Sequence, residues 1–392
     1  MSTKSLPNRV TRAQNGVKEE GVEAFALYSQ YGIFWASNYS PPIPSMDMAC
    51  LVLPDETVLF LNALRTEEAG NKSWAKVKVI GDWLGVEAYA KTSYEGVAKY
   101  LRERGFNNGK IGVENDIPHD KRTALKQHLQ VDEGNLVGIS PKLNDLRKVK
   151  DKDEIESADV ASEFARVGAV AGIKKCMAGV TEREVQWEVL KTIGDLAVRD
   201  YGHVDCTDFG PAEGGVHYGQ QCWVVGGSRR SMITPSTSDY KLKTGDLVTI
   251  GLWTVANHIH VEQEVTVCVG KASPEDRKAV KYALDANKAV FDIIKPGVPL
   301  SQLEVTGWNI VKNGGSETRL SRIGHTIGLG PHEKFSITST TTEVCLEGMM
   351  LADEPHVFKF KGKIAQFSNT VVVTKTGARY LTTLFTPEDC GF

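Results

Sequence analysis

The stretch Asp246–Val269 limits what this chain can fold into more than any other. Val248-Thr249-Ile250 reads as a strand, Ala256-Asn257-His258 as a hairpin turn, and His260–Val267 as the returning strand. Alternate residues of a strand share a face. His260, Glu262 and Glu264 therefore point one way, and Ile259, Val261 and Val265 the other. Two carboxylates and an imidazole on one face of a strand with apolar flanks are costly to bury without a purpose. An edge strand with a solvated face is the competing reading, and the apolar flanks favour a central strand that carries a site.

Two further segments hold polar groups in unusual settings. Arg322–Glu333 spaces His325 and His332 among Gly324, Gly328 and Gly330. Glycines let a backbone approach a ligand closely, so this segment reads as a loop around a site. Met350–His356 sets Asp353 and Glu354 after an apolar run and just before Pro355. That pattern is a strand end, and a plain surface turn is its alternative.

The remainder fits around these segments. A chain of 392 residues suggests two domains. Residues 1–145 alternate strands (Phe25–Tyr28, Ala49–Pro54, Thr57–Leu61, Lys110–Glu114) with a helix at Tyr94–Arg104, which predicts an α/β layer domain. Residues 146–392 make the second domain. It opens with a long helical stretch reaching about Met177, followed by a helix capped by Thr181 and Glu184. Gly179-Val180 and Gly297-Val298 each join two helices that lead into a β-rich segment, with Ser273-Pro274 starting the later pair. A unit used twice predicts a pseudo-two-fold domain with a site where the halves meet.

Composition narrows the class. The 46 basic and 49 acidic residues are intermixed, which argues against a nucleic-acid partner. No apolar run approaches the roughly 20 residues that span a bilayer, and no secretory leader is visible. Seven scattered cysteines without a CxxC pair predict a reducing, cytoplasmic setting.

Taken in order, these segments resemble the creatinase and aminopeptidase P family, peptidase family M24, over nearly the whole chain. Leu146-Arg147 with Lys150, Glu154 and Ile155 looks like the family's linker into its catalytic domain. Gly245–Val248 looks like its first metal strand, and Gly324-His325 with Gly328-Leu329 and His332-Glu333 like its histidine loop. Leu346–Met350 through Glu354-Pro355 looks like its Glu-Pro segment, and Thr370–Thr374 with Gly377 like its final strand. The resemblance implies an α/β (α+β) architecture: an N-terminal α/β creatinase-type domain, then a pita-bread catalytic domain.

The family's peptidases hold two metals with Asp, Asp, His, Glu and Glu. By resemblance those positions fall on Gly251, Glu262, His325, Glu354 and Ser368. Two ligands are lost and one is changed, and a two-metal clamp needs bridging carboxylates. The expectation is therefore a creatinase-like hydrolase, metal-independent and without a cofactor. It would act on a C–N bond of a small nitrogenous, amino-acid-like or amidine substrate. The catalytic set expected is His325, Glu262, Glu264, His260 and Glu354, with His332, Arg229, Arg230 and Thr234 contacting substrate. Thr234 stands near the position where creatinase has its catalytic histidine. An imidazole would move the proton, because it titrates near neutral pH. One of the clustered carboxylates is expected to stay protonated. The alternatives are one divalent metal on Glu262, His325 and Glu354, a metal-dependent Xaa-Pro dipeptidase or aminopeptidase, a lyase on a small zwitterion, and a non-catalytic binding protein. The family habit implies a homodimer.

Overall fold

The computed structural model describes residues 7–40, 47–82, 85–209, 217–232, 235–319, 321–358 and 365–392. It divides into two compact units, Met1–Arg147 with Phe209–His217, and Lys148–Asp208 with Tyr218–Phe392. Among the described residues, no helix is long and apolar enough to cross a membrane.

In the first unit, short apolar runs form six strands: β1 (Ala24–Leu27), β2 (Ala49–Val52), β3 (Thr57–Asn62), β4 (Lys76–Ile80), β5 (Ile111–Val113) and β6 (Leu136–Gly138). They lie in the order β4-β3-β2-β1-β5-β6. β1, β2 and β3 pair antiparallel, and the remaining pairs are parallel. The expected helix runs Ser93–Glu103, its first turn capped by the Thr92 side chain. It lays Val97, Ala98, Tyr100 and Leu101 on the sheet core beside Phe60 and Ile80.

In the second unit, one sheet carries the strands in the order 324–326, 350–353, 368–373, 259–268, 247–256, 221–226, with 378–380 paired to 368–373. The strand Ile259–Cys268 is buried along its whole length, which removes the edge-strand reading. Its hairpin with Leu247–Ala256 closes through Asn257 and His258, both at positive φ (48° and 64°), the backbone that a two-residue hairpin of matching twist requires.

Helix Lys152–Lys175 packs on this hairpin, with Glu182–Asp200 against it and against the strand Gln221–Gly226, and Pro274–Ile293 packs on the strands Met350–Asp353 and Ser368–Val373 with Leu300–Asn313 against it. Each helix pair is joined through a glycine at φ +88°, Gly179 in one and Gly297 in the other, so the repeated Gly-Val joint is a repeated backbone turn. Helix Lys152–Lys175 sits on one face of the hairpin. There, Thr254 Oγ1 donates to the Ala161 carbonyl at 2.7 Å, and Ile250 reaches Gly172. Residues 249, 251 and 253 face the other way, and so do their cross-strand partners Thr266, Glu264 and Glu262.

Candidate active site

The open face of the hairpin is built in layers by strand register. Thr249 pairs with Thr266, Gly251 with Glu264, Trp253 with Glu262, and Val255 with His260. Trp223 lies beside Gly251 on one flank and Ser368 beside Glu264 on the other. Glu262 and Glu264 are 1% and 3% exposed, so each needs partners inside the protein.

Glu262 has three. Trp253 Nε1 donates to its Oε2 at 2.7 Å and Ser368 Oγ to its Oε1 at 2.7 Å, while His325 Nε2 stands 3.3 Å from Oε2. His325 also lies 3.2 Å from Glu354 Oε1. Its Nδ1–H donates to the Thr326 carbonyl, which turns Nε2 toward the carboxylates. His325 lies on the short strand Gly324–Thr326, paired with Ala352, rather than in the loop its glycines suggest. The glycines serve the backbone pairing: a Cβ on Gly324 would strike the Ala352 carbonyl.

The loop after His325 is held from below. Lys150 Nζ donates to Glu333 Oε2 at 2.6 Å, and Glu333 Oε1 accepts from Leu329 N at 3.1 Å. The Lys150 side chain is 1% exposed and that of Glu333 14%. Glu333→Ala removes the carboxylate partner of a buried ammonium and is expected to cost about 3–5 kcal/mol in urea unfolding, whereas Lys150→Met combined with Glu333→Leu recovers most of it. A single variant as stable as the parent would show that the pair does not hold the loop.

Electrostatics separate the two glutamates. Burial pushes the Glu262 carboxyl up, but His325, Ser368 and Trp253 outweigh it and hold it below the usual range. Burial also raises Glu264, with the charges of Glu262 and Glu354 adding to it, against a pull down from His356. The two glutamates therefore shift in opposite directions rather than rising together. Burial alone would lower His325, yet Glu262 and Glu354 raise its imidazole to about 10. A folded value above the unfolded one makes this stabilisation complete below about pH 6.5 and loses it as pH climbs through about 10. In metal-free protein, the urea midpoint is therefore expected to fall from pH 6.5 to 10 more steeply than in His325→Gln. Parallel curves would contradict the assignment.

The other expected residues divide. His332 sits at the rim, its ring centroid 4.3 Å from that of His325. His260 is tied elsewhere: its Nδ1–H donates to Gly328 O at 3.1 Å and its Nε2 faces Asp208 Oδ1 at 3.2 Å. It orders the backbone beside the site rather than joining Glu262. Arg229 is paired to buried Glu182 and donates to Ser236 O, which braces the start of helix Glu182–Asp200. Arg230 is 2% exposed and donates to Thr249 and Thr266, the layer next to Glu264. Thr234 lies outside the described residues. Sequence reading missed His356, which bonds Glu264 Oε2 at 3.2 Å, and Gln366, which donates to its Oε1 at 2.9 Å. It also missed Trp223, Trp253 and Asp208. For His356, adjacency to Glu354-Pro355 was the available signal.

Two donor sets are close enough for a cation. Ligand atoms of Glu262, His325 and His332 lie within 4.8 Å of one another, and so do those of Glu264, Glu354 and His356. His325 Nε2 and Glu354 Oε1 are buried and 3.2 Å apart without a well-aligned hydrogen bond, an arrangement a bound cation satisfies. The five-donor arrangement of the family is not reproduced. Gly251 offers no ligand, and a Cβ there would come within 2.8 Å of Trp223 Cε2. Ser368 is engaged as a donor to Glu262. The donors present fit a cation at Glu262, His325 and His332, with Glu354 adjacent.

Residues 156–375 match metallopeptidase family M24, and residues 9–149 match the creatinase/prolidase N-terminal domain. The first match spans more than half of the chain, which therefore belongs to the M24 family. Among its relatives, the Xaa-Pro dipeptidase of Pyrococcus furiosus is 27% identical over 277 residues, covering 70% of this chain and 74% of that protein. The Xaa-Pro dipeptidase of Pyrococcus horikoshii is 25% identical over 69% of this chain and 72% of that protein. Among solved structures, the Xaa-Pro dipeptidase from Bacillus anthracis superposes with a TM-score of 0.81 at 18% identity, covering 97% of this chain and 98% of that one. The prolidase from Pyrococcus horikoshii gives 0.79 at 21%, covering 97% and 99%. These structures show the pita-bread fold.

The comparisons correct the functional expectation. A creatinase-like, metal-independent hydrolase of non-peptide C–N bonds is at odds with relatives named Xaa-Pro dipeptidase and with a metallopeptidase family match. The expected absence of a cofactor falls with it, since a metallopeptidase family match stands beside two groups of ligand atoms, Glu262, His325 and His332 and Glu264, Glu354 and His356, each close enough for a cation. The physical reason is that the losses at 251 and 368 are local facts of the chain, whereas His356, which bonds Glu264, joins the site only through the fold.

Proposed function

We propose that this protein is a metal-dependent dipeptidase acting at Xaa-Pro bonds. Glu262, His325 and His332 hold a divalent cation, and Glu354 lies at its side. The observation that carries the reading is the convergence of donors: Glu262 Oε2 and Glu354 Oε1 stand 3.3 and 3.2 Å from the buried His325 Nε2, and neither His325 Nε2 nor Glu354 Oε1 makes a well-aligned hydrogen bond. A divalent cation held by Glu262, His325 and His332 would supply Lewis-acid chemistry, polarising the scissile carbonyl and lowering the pKa of water. The chain's own groups do the rest. Trp253 and Ser368 fix both oxygens of Glu262 in place. Glu264, held by His356 and Gln366 beside Glu262 and Glu354, is the group we assign to deliver a proton to the leaving proline nitrogen. The reading extends to a small peptide as substrate and to a homodimer in the cytoplasm. Family resemblance supports the dimer, and seven free cysteines support a reducing compartment.

The test measures metal content after loading with manganese, cobalt or zinc, and proline release from Xaa-Pro dipeptides. One retained equivalent and metal-dependent release are expected. A protein that retains no metal and releases no proline would overturn the proposal.

A further inference from the structure

Gly251 has a reason to be glycine that concerns its neighbour. The indole of Trp223, on the paired strand, occupies the space a side chain at 251 would take. It stacks near-parallel to Trp253, with ring centroids 6.4 Å apart and planes 21° apart. The Trp253 ring in turn lies 6.5 Å from that of His332. Both indoles are partly exposed, whereas Glu262 and Glu264 behind them are buried. The partly exposed indoles thus form an aromatic wall in front of the buried Glu262, to which Trp253 donates.

We infer that Trp223 and Trp253 form a subsite for a cationic nitrogen carrying apolar substituents. Resting on the dipeptidase reading, that nitrogen is the amino terminus of the substrate, bound the better the more it is alkylated. Two physical reasons agree. Indole faces attract cations, most strongly those whose charge is spread over methyl groups and poorly hydrated. Trp253 also donates its Nε1–H to the Glu262 carboxylate, and an indole polarised by a bonded anion draws a cation to its face more strongly. An apolar wall alone would bind a neutral group of the same shape equally well, and this is the point that experiment decides.

The probes are trimethylglycine and 3,3-dimethylbutanoate, which share a shape and differ by the charge on the quaternary centre. Each is titrated into the protein as purified by calorimetry. Trimethylglycine is expected to bind about tenfold more tightly or better. Trp253→Leu should erase that preference, Trp223→Leu should reduce it, and Trp253→Phe should keep most of it. The phenylalanine variant retains a ring but loses the donor to Glu262, so it separates the wall from that hydrogen bond and guards against a leucine variant that misfolds. Equal affinities, no binding of either probe, or a preference that survives both leucine changes would overturn the inference. Metal retention and proline release are separate readouts. A protein that passes them but ignores probe charge loses this subsite and keeps its proposed activity, and the converse result removes the activity and keeps the subsite.

Discussion

His325→Ala is expected to abolish metal retention and to lower turnover on the true substrate by a factor on the order of a thousand or more. The imidazole is fully buried, its Nδ1 is fixed on the Thr326 carbonyl, and its Nε2 faces Glu262 and Glu354. Removing it takes away a ligand and leaves the Glu262 charge facing Glu354 without a cation between them. Loss of one partner from a buried pair costs about 3–5 kcal/mol. Glu262 keeps Trp253 and Ser368 as donors, so the lower end is expected. The Glu262 carboxyl should also rise, since His325 is the largest of the influences that lower it. Stability that depends on an ionised Glu262 would then begin to be lost at a higher pH on acidification than in the parent. Turnover, metal content and an acid unfolding curve check the three parts. A variant that turns over at the parent rate with a full metal complement removes His325 from the site.

Gly251→Asp, which writes the family's missing carboxylate back into the strand, is expected to fail by itself. The new Cβ would sit 2.8 Å from Trp223 Cε2 and 3.0 Å from Cδ1. Overpacking of this kind typically costs about 1–3 kcal/mol. The new carboxylate would also stand opposite buried Glu264, its register partner, adding like-charge repulsion. A drop of several degrees in melting temperature without gain in metal stoichiometry is expected. Clearing the space with Trp223→Ala in the same chain should recover part of that stability. With Ser368→Glu added, a second equivalent of metal should appear, because the five family positions would again carry ligands. A stable Gly251→Asp protein that binds two metals would show that the Trp223 ring yields easily, and the aromatic wall would lose its main argument.

Much of this site was legible in the chain itself. A period of two put His260, Glu262 and Glu264 on one face, and the hairpin register bears that out. Apolar flanks marked the strand as central, and it is buried throughout. The Glu-Pro segment and the spaced histidines pointed to Glu354, His325 and His332. The repeated Gly-Val joint marked the two halves, because a helix end that turns through positive φ favours glycine. The short strand Gly324–Thr326 was not legible, since three residues are too few to show a period and its glycines read as a loop.

What the sequence determined by itself was the set of side chains that share a strand face, because that follows from local backbone geometry. Which side chain from a distant segment meets that face was decided only by the tertiary structure. His356 and Gln366 satisfy Glu264, Asp208 turns His260 away from the carboxylates, and Glu182 takes Arg229. Trp223 fills the place of a lost ligand, and it does so because strand pairing sets it beside a residue with no side chain. Loss of a ligand is a local fact, whereas replacement of its function is a fact about packing between strands far apart in the chain.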